Sequence, residues 1–130
     1  MSVNLGPGLH VAIGRAVDTS SYDRWVGRWS RLFVPAVLGA AELASGGHVL
    51  DVATGTGEAA LGALAIVGVS GTVIGADISL AMVEGARGRL DDPSFLPAAA
   101  DGQALPFGDG SLDAVICQLG LQFFPDPLSR

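Results

Sequence analysis

The hydrophobic pattern changes character at about His48. Before it, apolar residues recur at helical spacing. Trp25, Trp29, Leu32 and Phe33 stand at i, i+4, i+7 and i+8, which puts them on one face of a helix over 22–33. Pro35 suits the first turn of a second helix, because the donor it lacks is one that a first turn leaves unused. That helix runs to about Ala44, and Ser45-Gly46-Gly47 stops it. Residues 1–21 mix polarity with three glycines and a proline and are expected to be irregular.

From His48 onward, apolar runs alternate with helical stretches. His48 to Ala53 (HVLDVA), Thr72 to Asp77 (TVIGAD), Ser94 to Ala99 and Asp113 to Leu119 (DAVICQL) read as strands. Between them, Glu58 to Val67 reads as an apolar helix. A further helix is capped by Ser79, runs to about Leu90, and is broken by Asp91-Asp92-Pro93. Strands separated by helices pair in parallel, and apolar runs without strict alternation suit strands covered on both sides. The expectation is an α/β, Rossmann-like parallel sheet with helices on both faces.

Composition narrows the chemistry. A chain of 130 residues holds one domain. Carboxylates outnumber basic groups 13 to 7, the net charge is −6, and every basic group is Arg. Without a basic run the chain is ill suited to grasp phosphate backbones, so nucleic acid is not expected as a partner. With 49% hydrophobic residues it is not wholly disordered. A single cysteine, Cys117, excludes an intramolecular disulfide and a multi-cysteine zinc site, and His10 and His48 are too few for a histidine-rich metal site. The longest weakly polar stretch, Ala59 to Ile74, falls short of the roughly 18 apolar residues that span a bilayer. No basic residue precedes Arg15, so nothing reads as a signal peptide. A cytoplasmic protein without a membrane partner is expected.

Glycine motifs need care in a chain with 19 glycines. About three G-x-G triplets are expected by chance, and three occur, at Gly6, Gly55 and Gly108. Only Gly55-Thr56-Gly57 lies between a strand and a helix, where backbone N–H groups can face an anion or carboxylate. Asp51 precedes it on the strand, and Asp77 ends the next strand, where a carboxylate can accept from both hydroxyls of a ribose. Gly55 to Ala60 also fits the dinucleotide pattern G-x-G-x-x-A, so a nicotinamide-dependent oxidoreductase half stays open. Asp51 argues against it, because a carboxylate repels a pyrophosphate but can pair, directly or through water, with an amino-acid ammonium group.

With those residues in place, the sequence resembles the class I S-adenosylmethionine-dependent methyltransferases, in particular the ubiquinone/menaquinone-biosynthesis type (methyltransferase type 11). Val49 to Gly57 (VLDVATGTG) resembles their first motif and Gly75 to Ser79 their second. Asp101 to Phe107 (DGQALPF) and Asp109 to Val115 resemble the third and fourth. Tyr22 to Arg31 resembles the N-terminal helix of some members. Ala53 stands where the family often has glycine.

The resemblance implies strand order 3-2-1-4 and a cofactor outside the carboxyl ends of the strands. It implies that Asp51 meets the methionine ammonium group and that Gly55 and Gly57 allow close approach of the backbone. Asp77 would hold the ribose hydroxyls, and Ile78 would pack on the adenine. Asp101 would accept from the adenine amino group, Gly102 would offer its N–H, and Gln118 would sit beside the reactive end. Asp77 and Asp101 have a plainer reading as capping or loop carboxylates. Tyr22 and Trp29 read as a lid or as simple core, and Cys117 as a small core residue.

The resemblance further implies seven strands. The chain stops after the fourth, so the cofactor domain, 22–130, is expected to be incomplete at its C-terminus. The expected activity is methyl transfer to a small molecule, with no catalytic base identified. The alternative is a non-catalytic cofactor-binding fragment. Self-association through the exposed fourth strand is expected, because DAVICQL carries no Pro or Lys to discourage pairing.

Overall fold

The computed structural model describes residues 2–4, 10–12, 24, 27–121, 124–126 and 128. In chain order its elements are β1 (Ser2–Asn4), β2 (His10–Ala12), α1 (Arg28–Ser30), α2 (Val34–Ala40), β3 (His48–Val52), α3 (Glu58–Val67), β4 (Thr72–Asp77), α4 (Leu80–Leu90), β5 (Phe95–Ala99) and β6 (Ala114–Ile116). β3 to β6 form a parallel sheet in the order β5-β4-β3-β6, the expected 3-2-1-4 for its first to fourth strands. The register sets Asp51 opposite Gly75 and Asp77 opposite Ala99. Pro97 falls in β5, an edge strand, where a missing N–H is tolerated.

Alternation along the strands sorts the core into two layers. Val49, Val73, Phe95 and Ile116 pack with Leu38 of α2, with Ala60, Ala63 and Val67 of α3 and with Ala86 of α4. Leu50, Val52 and Ala76 pack instead with Leu105, Phe107, Leu112 and Phe124. Among the described residues, α2, α3 and α4 therefore share one face, and the irregular segment 100–112 with Phe124 covers the other. Among the described residues, the helices packed on this sheet lie on one face. Pro106, Gly108 and Gly110 hold the β5–β6 connection out of a helix, while its Leu and Phe side chains still supply apolar cover. On the helical face, α2 and α3 cross closely at Gly62, where an added Cβ would lie 2.6 Å from Leu38 Cδ1.

Element ends differ from the sequence expectation in places with physical causes. Within 1–21, β1 and β2 pair antiparallel with Val3 opposite Val11; three-residue strands are too short to show a period. The helix expected over 22–33 is represented by α1 and a turn at 31–33, and Tyr22 and Trp25 lie outside the described residues. Pro35 explains the break, since its ring clashes with the carbonyl four residues back in a continuous helix. Trp29 is 67% exposed, and Leu32 and Phe33 are exposed too, so these three form no core stripe. α2 ends at Ala40, and Glu42 takes φ 51. β6 is shorter than Asp113 to Leu119, and Leu119 takes φ 57, outside any strand conformation. No described helix is long and apolar enough to cross a membrane.

Candidate functional site

The carboxyl ends of β3 and β4 lead into two loops that share their hydrogen bonds. β3 ends at Val52, and Ala53, Gly55 and Gly57 take φ 56, 56 and 90. Thr54 N–H still joins the sheet, donating to Ala76 O at 3.0 Å. The turn therefore begins inside the sheet and ends on the first residue of α3. Gly57 is required twice over: its φ is left-handed, and an added Cβ would lie 2.8 Å from Leu90 Cδ1.

Asp51 is the second-last residue of β3 and only 1% exposed. Thr54 Oγ1 donates to its Oδ2 at 2.7 Å. Burial raises its pKa to about 7; the Thr54 hydrogen bond opposes that rise, the like charge of Asp77 adds to it, and the Ala60 N–H opposes it. Asp51 thus reaches from the strand to the N-terminus of α3.

Asp77 ends β4 and ties the two loops together. Gly55 N–H donates to its Oδ2 at 2.9 Å, and Ser79 N–H donates to its Oδ1 at 2.9 Å. Burial raises its pKa, and the N–H groups of Ser79, Gly55 and Ile78 oppose the rise. Ser79 Oγ in turn accepts from Met82 N–H at 3.3 Å and caps α4. Ile78, between them, is exposed.

The remaining expected residues gather around these loops. Ala100 N–H donates to Asp77 O at 3.0 Å, which sets Asp101 beside the end of β4. Asp101 is exposed and accepts from Gln103 N–H at 2.9 Å, the plainer loop-shaping role. Gly102 lies beneath Phe124, where a Cβ would overlap the ring and stand 3.0 Å from Val52 Cγ1. Gln103 Nε2 donates to Asp126 O and fixes the same pair of segments. Gln118, two residues past β6, donates from Nε2 to Ser30 O at 2.6 Å. Its Oε1 is buried and has no hydrogen-bond partner among the described residues. Cys117 is half-buried, and burial raises its pKa, with the charges of Asp51 and Asp77 adding to the rise; it stays a thiol.

Two contributors lay outside the sequence reading. Thr54 could have been suspected as the hydroxyl three residues after Asp51 in a loop otherwise rich in glycine. Phe124 carries no local signal for its place over Gly102. A depression of about 290 Å³ lined by Glu42 to Gly47, Val49, Asp113 and Ala114 sits at the opposite, amino ends of the strands and holds none of the expected residues.

Ala53 bears a measurable strain. A non-glycine residue at φ 56 costs about 1–2 kcal/mol, offset in part by the entropy that glycine loses on folding. Ala53→Gly should stabilise the chain by roughly 0.5–1 kcal/mol. Gly120→Ala should destabilise it by about 1–3 kcal/mol, since its Cβ would lie 2.6 Å from Ala53 Cβ and 2.9 Å from Cys117 Sγ. Part of that loss should return in the double variant. Denaturant unfolding of the three variants checks this, and a destabilised Ala53→Gly would contradict the strain.

A methyltransferase-domain family matches residues 49–130, the span that carries both carboxylates and both loops. The chain belongs to this methyltransferase-domain family. It is 35% identical over 99 residues to the ubiquinone/menaquinone biosynthesis C-methyltransferase UbiE of Geotalea uraniireducens, covering 73% of this chain and 40% of that protein. It is 42% identical over 100 residues to the demethylmenaquinone methyltransferase of Renibacterium salmoninarum, covering 77% and 38%. The chain thus spans about two-fifths of the length of these relatives. A crystal structure of a SAM-dependent methyltransferase from Aquifex aeolicus shares the fold, with TM-score 0.64, 24% identity, and coverage of 82% of this chain and 63% of that one.

The methyltransferase-domain site fits the cofactor of its family on its own geometry. S-adenosylmethionine presents cationic groups at one end and a ribose diol further along. Asp51 and Asp77 are two carboxylates on neighbouring strand ends, both with raised pKa values, and so both gain from a cation or from hydroxyl donors. The backbone N–H groups of Gly55, Ser79 and Ile78 face Asp77, and a carboxylate with about four lone-pair sites still has one for a hydroxyl.

Proposed function

We propose that this chain binds S-adenosylmethionine across the carboxyl ends of β3, β4 and β5 and serves methyl transfer to a small molecule. The observation that carries the reading is the pair of carboxylates flanking one glycine loop, Asp51 buried beneath it and Asp77 bonded to its Gly55 N–H. Asp51 draws the ammonium end, Gly55 and Gly57 let the backbone close on it, and Asp77 orients the ribose. Ile78 offers an apolar surface to the adenine, and Asp101 with Gly102 offers an acceptor and an N–H to its edge. Gln118 stands two residues past β6, near the same strand ends, with a buried Oε1 that has no hydrogen-bond partner among the described residues.

The bound cofactor supplies a methyl group already activated by sulfonium charge. What the chain contributes is then chiefly position, since holding two reactants aligned is itself a large part of such an acceleration. The names of the relatives support a quinone-type ring, methylated at carbon, as the acceptor. We propose that self-association of the chain uses β6, an edge strand of the sheet among the described residues.

Calorimetric titration with S-adenosylhomocysteine and with NAD tests the cofactor. Saturable binding of the first and none of the second is expected; the reverse would establish the oxidoreductase alternative. Transfer of labelled methyl to a demethylquinone then separates an enzyme from a chain that only binds.

A further inference from the structure

The glycine loop is gripped from outside by a side chain to which the family motifs assign no role. Arg89, in the last turn of α4, donates from Nη1 to Thr56 O at 3.3 Å, and the same nitrogen lies 2.7 Å from Glu58 Oε1. Glu58 opens α3 and is 9% exposed on its side chain. It also takes Arg31 Nε at 3.0 Å, but Arg31 is 54% exposed on its side chain. Two of the restraints on the loop residues between Asp51 and α3 come from the neighbouring strand and helix. Asp77 holds Gly55 from the β4 side, and Arg89 holds Thr56 from the α4 side.

We infer that Arg89 is a positioning residue for cofactor binding. By holding the Thr56 carbonyl and the Glu58 carboxylate together, it fixes the backbone of Gly55 to Gly57, with Gly55 and Gly57 at left-handed φ, and so keeps in place the loop that the ligand must approach. A guanidinium is suited to this because the two N–H bonds of its Nη1 lie in a fixed plane and meet two acceptors at a set angle, whereas an ammonium on a flexible stem holds them without fixing their angle. The Arg31 bridge, being mostly in solvent, contributes little to the loop. This inference rests on the proposed cofactor reading for its affinity effect, but the effect on the loop is a property of the empty chain.

The test uses the full chain with Arg89→Lys, Arg89→Gln, Arg31→Ala and, as a control, Leu38→Ala in α2, which lowers the melting temperature without touching the loop. Arg89→Lys and Arg89→Gln should weaken S-adenosylhomocysteine binding about tenfold, with Arg31→Ala and Leu38→Ala close to the parent. Amide exchange at Gly55, Thr56 and Gly57 in the empty chain should quicken in the two Arg89 variants alone. Unchanged loop exchange in Arg89→Gln, or an equal loss of affinity in Leu38→Ala, would overturn the inference. If the parent binds no S-adenosylhomocysteine, the cofactor reading fails, and the exchange measurement still decides the role of Arg89.

Discussion

Asp51→Asn makes the empty chain more stable than its parent at about pH 8 and at the same time weakens its hold on S-adenosylmethionine. Both effects come from one buried charge. The Asp51 carboxyl has a pKa raised from 3.8 to about 7, chiefly by burial. Between those values the folded chain keeps a proton that the unfolded chain has lost, so stability falls as pH rises through this window. The loss between about pH 5 and about pH 8 is roughly 2–3 kcal/mol. Asp77, also raised by burial, adds a slope of the same sign. Asparagine keeps an acceptor oxygen for the Thr54 hydroxyl and carries no charge, so this part of the slope disappears. Urea unfolding at both pH values measures it, and parallel slopes in parent and variant would acquit Asp51.

Binding runs in the opposite direction. An ammonium group favours the ionised carboxyl, so below about pH 7 the incoming cofactor must drive a proton off Asp51. Affinity in the parent should therefore climb about tenfold per pH unit up to pH 7. It should fall again near pH 8, where an α-amino group itself loses its charge. Asp51→Asn should bind more weakly and show no acid limb. An acid limb retained in the variant would assign the titration to another group.

The parts of the fold that could be read from the sequence are those with sharp punctuation. α3 and β4 fall where expected, because Gly57 and Gly68 bracket one and Gly71 and Asp77 the other. The strand–loop–helix passage through Asp51 and Gly57 was visible for the same reason. The sorting of faces was not. α3 is made of Ala, Gly, Leu, Ile and Val after Glu58, and a helix apolar all round does not say which side of a sheet it covers. The length of β6 was hidden too, since nothing in a leucine announces φ 57. At the site, the positions of Asp51 and Asp77 followed from the ends of apolar runs. Their partners did not. The Thr54 hydroxyl, the Phe124 ring over Gly102 and the Arg89 grip on Thr56 are made by folding, between segments with no shared pattern.

Asp77→Ala should weaken S-adenosylhomocysteine binding by roughly 1.5–3 kcal/mol, the range for hydrogen bonds to a charged group. Two causes are mixed in that number. The substitution removes an acceptor for the ribose, and it also strands the Gly55 and Ser79 N–H groups that hold the two loops together. A ligand lacking one ribose hydroxyl separates them. In the parent, the 2′-deoxy analogue of S-adenosylhomocysteine should bind more weakly than the full ligand, because a lone pair of Asp77 goes unmet. In Asp77→Ala the two ligands should bind alike, since the missing hydroxyl has no carboxylate left to meet. The coupling between the two deletions is then the direct contact, and whatever affinity Asp77→Ala loses beyond it belongs to the loops. Asp77→Asn, which keeps one acceptor oxygen, should fall between the two. If the 2′-deoxy ligand were penalised equally in parent and Asp77→Ala, then Asp77 would act only by shaping the loops, and the ribose would have another partner.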